Sequence, residues 1–131
     1  MPLPVKQALQ RAAAQSAHGP AFGVNECQMQ CRLLYEVPSN GTLTAADDWN
    51  KSKNKHTGNP HDAPVGAFHR WTGGSTGAGH VAVSQGAGSV WSTDIKRPGY
   101  FDLTTVDHIN QAWTHLHYVG WTTDIDGVVC V

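Results

Sequence analysis

The chain predicts an α+β domain, with helices first and an antiparallel sheet after them. Three observations carry this. Apolar residues recur at helical spacing near the start. From about residue 65 the pattern changes to short, β-branched and alternating runs. Short turn-forming runs separate the segments, and neither an internal repeat nor a low-complexity linker divides them. A length of 131 residues suits one domain over 1–131, with residues 1–22 as an N-terminal helical extension.

Val5, Ala8, Leu9, Ala12 and Ala13 lie on one face of a first helix, which His18-Gly19-Pro20 ends. A second helix is expected from Asn25. Asn25 is a good N-cap, Gln28 stands at the capping-box position, and Val24 and Met29 are placed as a hydrophobic staple. Cys27, Cys31, Leu34 and Tyr35 then share a face, and residues 37–41 turn the chain. Thr44 caps a short third helix through Ala45, Ala46 and Trp49. Residues 50–63 read as a polar loop, including Lys51, Lys53 and Lys55. Strands are expected at 65–71, 80–85 and 90–93, the last two joined by a turn at Gly86-Ala87-Gly88. Val106, Ile109 and Trp113 have helical spacing. Residues 117–121 and 128–131 close the sheet around Asp126-Gly127.

Composition narrows the function. Hydrophobic residues make up 40% and charged residues 15%, with a formal net charge of −1. No Lys/Arg stripe offers a nucleic-acid footprint. No apolar run fits a secretory signal or a membrane span, so an extracellular substrate would require delivery after synthesis in the cytoplasm. Three cysteines exclude a full disulfide framework, and eight histidines raise the question of metal. Cys27-x3-Cys31 is wider than a short zinc knuckle, and the histidines are scattered: His56 and His61 in the loop, His69, His115 and His117 on strands.

Cys27 and His80 are the better chemistry. A thiolate is the competent nucleophile, and a cysteine in the first helical turn faces unpaired N–H groups and the positive dipole end. That position lowers a thiol's pKa and aims the Cys27 N–H at a developing oxyanion. His80 starts a strand behind a Gly-rich run, where its imidazole can serve as general base. Ser92 and Asp94 are two apart on the returning strand, so either can orient His80 across the ladder. Asp94 is preferred, because it would also stabilise the imidazolium. Trp49 and Trp71 are candidates to line a substrate groove, while Trp113 and Trp121 read as core.

The segments Cys27-Gln28-Met29-Gln30-Cys31-Arg32-Leu33-Leu34-Tyr35-Glu36-Val37-Pro38, Pro64-Val65-Gly66-Ala67, Gly79-His80-Val81-Ala82-Val83-Ser84 and Ser89-Val90-Trp91-Ser92-Thr93-Asp94 resemble those of small papain-like cell-wall hydrolases. These are the NlpC-type and CHAP enzymes, particularly versions in phages of actinobacteria. The resemblance covers about residues 24–125. It implies a papain-like α+β fold, Cys27 as nucleophile, His80 as base and a polar residue near Ser92 as the third member. Register on Val37-Pro38 places Cys27 rather than Cys31 at the nucleophile position. Glu26 before the nucleophile and a second cysteine in the helix depart from the family pattern.

The implied function is peptidoglycan hydrolysis by a cysteine endopeptidase or amidase, as in an endolysin, through a Cys27 thioester. The Cys27 N–H, with the Asn25 amide, would bind the oxyanion. No metal or organic cofactor is implied. Peptidoglycan is the expected partner of a monomer, with a wall-binding or tail partner supplying targeting. The alternative is a non-catalytic phage structural or wall-binding module on the same fold, which would need no reactive thiol.

Overall fold

A computed structural model of the chain describes residues 1–131. It is an α+β fold with four α-helices and a six-stranded antiparallel sheet. The helices are α1 (Val5–His18), α2 (Cys27–Leu34), α3 (Ala45–Lys51) and α4 (Val106–Ala112). The strands are β1 (Lys55–His56), β2 (Phe68–Gly73), β3 (His80–Gly86), β4 (Ser89–Thr93), β5 (Phe101–Thr105) and β6 (Leu116–Thr122), arranged β1-β6-β2-β3-β4-β5. A separate hairpin joins β7 (Asp124–Ile125) to β8 (Val128–Val129).

The first helix ends at His18 as its spacing predicts, and Thr44 caps α3 by accepting the Asp47 N–H at 3.1 Å. The β3–β4 hairpin also follows the sequence, with Gly86, Ala87 and Gly88 all at positive φ. Several boundaries differ. The strand expected at 65–71 begins only at Phe68, because Gly66 turns the chain at φ 93°. The polar stretch 50–63 holds β1 and a short 3-10 turn at Pro60–Asp62. Both residues of β1 are exposed, so no apolar pattern marks it. Strand β5 was not expected either. Its buried Asp102, paired with Arg97 at 2.7 Å, breaks the apolar alternation that would reveal it. His115 lies in the turn before β6, so it does not share a strand face with His117.

The start of α2 is corrected as well. Asn25 does not cap it: Glu26 holds that position without a side-chain bond, and Asn25 adopts a left-handed φ of 61°. Gln28 is buried and serves no capping box. Val24 and Met29 are both exposed, so they form no staple.

Alternation along the strands sorts the core onto two faces. Phe68, Val81 and Val83 meet Ala8, Ala12, Cys31, Leu34 and Tyr35 from α1 and α2. Trp71, Ala82 and Val90 meet Val106 and Ile109 of α4 on the other side. Each large side chain buried this way stabilises the fold by about 1.5–3 kcal/mol. His80, first residue of β3 and partner of Trp71 across the ladder, lies where the sheet ends and the cleft opens.

Candidate active site

Cys27 and His80 line the same cavity of about 860 Å³. One wall is the start of α2, with Asn25, Glu26 and Met29. A second is the loop from Gly73 to Gly79, and a third is the end of α4 with Trp113 and His115. The rim also carries Thr42, Leu43 and Thr44. No helix is long and apolar enough to cross a membrane, and no group of three or more His, Cys, Asp or Glu side chains is placed to hold a metal ion.

His80 is held on three sides. Its ring packs 5.5 Å from Trp71 and meets Trp113 edge-on at 5.0 Å. Its Nε2 lies 2.8 Å from Ser92 Oγ. The Ser92 hydroxyl in turn donates to the Thr93 carbonyl at 3.2 Å. With its one hydrogen placed there, Ser92 accepts from Nε2–H, which leaves the Nδ1 lone pair free. Nδ1 has no partner within the protein and is not among the sealed, unpartnered atoms, so it opens on the cavity. The side chain bonded to His80 is therefore Ser92. Asp94 is at the cavity but does not orient His80. Its carboxylate accepts the Asn25 N–H at 2.9 Å and the Gly99 N–H at 2.7 Å. Asp94 lies just past β4 at φ 64°, and that turn swings its side chain off the face Ser92 shares with His80.

The charge state of the pair differs from the sequence expectation. Burial lowers His80 to a pKa of about 3, with no anion beside it to offset the loss of water. Burial also raises the Cys27 thiol. The N–H groups of Val81 and Gln28 and the charge of Arg70 act in the opposite direction, while Asp94 adds to the rise. Desolvation thus outweighs the helix end, and the pair rests as neutral thiol and neutral imidazole. Cys27 is the first residue of α2 and packs on the core cluster that includes Val81, the residue after His80. No hydrogen bond joins the sulfur to His80, whose one partner is Ser92.

Cys31 lies wholly buried one turn further, its thiol donating to the Val81 carbonyl at 3.7 Å. Burial drives its pKa well up. It is a core residue and takes no part in the cavity.

Asn25 lines the cavity, but its backbone N–H is committed to Asp94 and is not free for an oxyanion. The N–H of Cys27, at the first helical position, has no helical acceptor. Trp49 is in the core under Lys55, and Trp71 is wholly buried, donating from Nε1 to Asn110 at 2.7 Å. Neither lines the cleft. The aromatic wall is Trp113, whose helical spacing had suggested core. Trp121 is only half-buried and stacks on His56 at 4.0 Å.

Behind Cys27 is a polar cluster the sequence reading missed. Arg70 is wholly buried and pairs with Asp48 at 2.7 Å. It also donates to Gln28 Oε1 at 3.2 Å, while Gln28 Nε2 donates to Asp126 at 2.6 Å. The available signal was an arginine between Phe68 and Trp71 in a strand, where a charged side chain is rarely buried without a partner. A scan against protein-family models finds no match, and no curated protein matches the chain.

Proposed function

We propose that the chain is a papain-like cysteine hydrolase of the NlpC/CHAP kind, cutting an amide bond of bacterial cell-wall peptide. The observation that carries this reading is the single cleft onto which Cys27, at a helix start, and His80, backed by Ser92, both open. The sequence motifs around Cys27 and His80 supply the substrate class.

The chemistry follows from the neutral resting pair. His80 Nδ1 takes the thiol proton as Cys27 Sγ attacks the amide carbonyl. The Cys27 N–H stabilises the tetrahedral oxyanion. The imidazolium then protonates the leaving amine, leaving a thioester on Cys27. Water, deprotonated by the same nitrogen, releases the acid. Ser92 keeps the proton on Nε2 throughout, so Nδ1 stays the working atom. Trp71 and Trp113 exclude water from the imidazole. Peptidoglycan is the proposed partner, reached after release or delivery from the cytoplasm.

Turbidity loss of purified cell walls tests the reading. Cys27→Ala abolishes lysis, and His80→Ala lowers it by about 10²- to 10⁴-fold, the usual worth of a general base. Both keep the native circular dichroism. Cys31→Ala retains activity. Substantial lysis by Cys27→Ala overturns the proposal. Mass spectrometry of the digested wall identifies the bond as a peptide cross-link or the amide to the glycan.

A further inference from the structure

Gln28 follows Cys27 directly, and its almost wholly buried side chain closes a polar ring. Its Oε1 accepts from Arg70 Nη1 at 3.2 Å, and its Nε2 donates to Asp126 Oδ1 at 2.6 Å. The Asp126 backbone N–H donates to Asp48 at 3.2 Å, and Asp48 returns to Arg70 Nη2 at 2.7 Å. The ring thus ties α2 to α3, to the central strand β2 and to the β7–β8 turn. It binds at the one turn of α2 that carries the thiol.

Such a ring is more than the fold requires for stability. A buried ion pair often contributes no more than a well-packed apolar group of the same size. Its attested use is to fix one arrangement among several. Here the arrangement fixed is the first turn of α2. Cys27 opens α2 and packs on the core cluster that includes Val81 of β3. A slide of α2 along the sheet would move the thiol off that packing. Hydrogen bonds at both ends of the Gln28 amide resist the slide, because its donor and its acceptor are each tied to a separate element.

We propose that Gln28 is a positioning residue for Cys27, its side-chain amide held between Arg70 and Asp126 so that the first turn of α2, which carries the thiol, stays in place against the sheet. This rests on the reading of Cys27 as the nucleophile. The other groups that bear on the sulfur are the Arg70 charge from β2, Asp94 beyond β4, Cys31 on α2 and His80 on β3.

The test is the rate of iodoacetamide alkylation of each cysteine in the intact chain, resolved by peptide mass spectrometry across about pH 7 to 9. Gln28→Met has similar length and no amide. It is expected to slow alkylation of Cys27 by roughly 3- to 10-fold, as the first turn of α2 shifts and the thiol loses its place at the helix start. Cys130 serves as the internal reference and keeps its rate. A role confined to stability predicts the opposite sign: looser packing would speed labelling of all three cysteines, the buried Cys31 most. Gln28→Glu keeps the acceptor for Arg70 but sets a second carboxylate against Asp126, and is expected to slow Cys27 as Gln28→Met does. If Gln28→Met fails to fold, Asp126→Gly removes the acceptor at the other end of the same amide while suiting the left-handed φ of 48° there, and is expected to slow Cys27 in the same way.

An unchanged Cys27 rate in a folded Gln28→Met or Asp126→Gly chain overturns the proposal, whether or not the native chain lyses walls. Selective slowing of Cys27 in a chain that cleaves no wall peptide would leave Gln28's role standing and remove the proposed substrate.

Discussion

Held between Trp71 and Trp113 with only a hydroxyl behind it, His80 has no anion to offset a positive charge. Its imidazole therefore rests neutral, and Ser92 acts by selecting the tautomer rather than by stabilising imidazolium. This separates two substitutions. Ser92→Ala frees the ring to rotate and exchange tautomers, so kcat is expected to fall by roughly 10- to 100-fold, part of the worth of a general base, with KM little changed. Asp94→Asn keeps an acceptor oxygen for one of its two amide partners and is expected to cost less in kcat. Steady-state kinetics on soluble wall fragments measure both. A larger kcat loss in Asp94→Asn would return the orienting role to the carboxylate.

At the scale of elements, the cleft depends on how the Gly73–Gly79 loop enters β3. Gly79 has φ 72°, and a Cβ there would collide with the Trp71 carbonyl oxygen and come within 3.1 Å of Ala46 N. The loop thus passes between β2 and α3 with room for hydrogen only, and this close approach delivers His80 to the end of the sheet. Gly79→Ala is expected to destabilise the fold by about 2 kcal/mol or more, from left-handed strain and from displaced neighbours. Gly58 has nothing within 4 Å, and Gly58→Ala is expected to stay within about 0.5 kcal/mol of native. Urea unfolding compares the pair. Equal stabilities would mean the loop rearranges freely.

For the molecule as a whole, two buried histidines shape stability against pH. Burial lowers His80 to about 3, and burial with a smaller contribution from His61 lowers His69 to about 4. Above a pH of about 6.5 both are neutral, folded or unfolded, and neither contributes. Below it the unfolded chain binds protons that the folded chain refuses, so stability falls with pH. Both groups act from about 6.5 down to about 4, and His80 alone from there to about 3. Each adds a slope on the order of 1 kcal/mol per pH unit. The urea midpoint is expected to drop steadily between pH 7 and pH 4, and His69→Gln to flatten part of that drop. A flat midpoint across the window would place both imidazoles in water.

Much of the helical half was legible in the sequence, because one face of a short helix shows its apolar spacing directly. Ala8 and Ala12 mark α1, and Thr44 marks the start of α3. Cys27 and His80 were legible from motif and position, and the structure brings them to one cleft. Strands β1 and β5 were hidden, since an exposed pair of residues and a buried Asp102 carry no apolar alternation.

By itself the sequence determined that helices precede the sheet, the α+β class and the two side chains that share the cleft. Those follow from local periodicity and turn chemistry. The tertiary structure alone decided that Ser92 rather than Asp94 stands behind His80, that Trp113 rather than Trp49 or Trp71 walls the cleft, and that Asn25 does not cap α2. It also decided that the pair rests uncharged. Each of these depends on which backbone amide reaches a side chain first and on how much water packing removes. Both are set by segments up to 69 residues apart, as with Asn25 and Asp94.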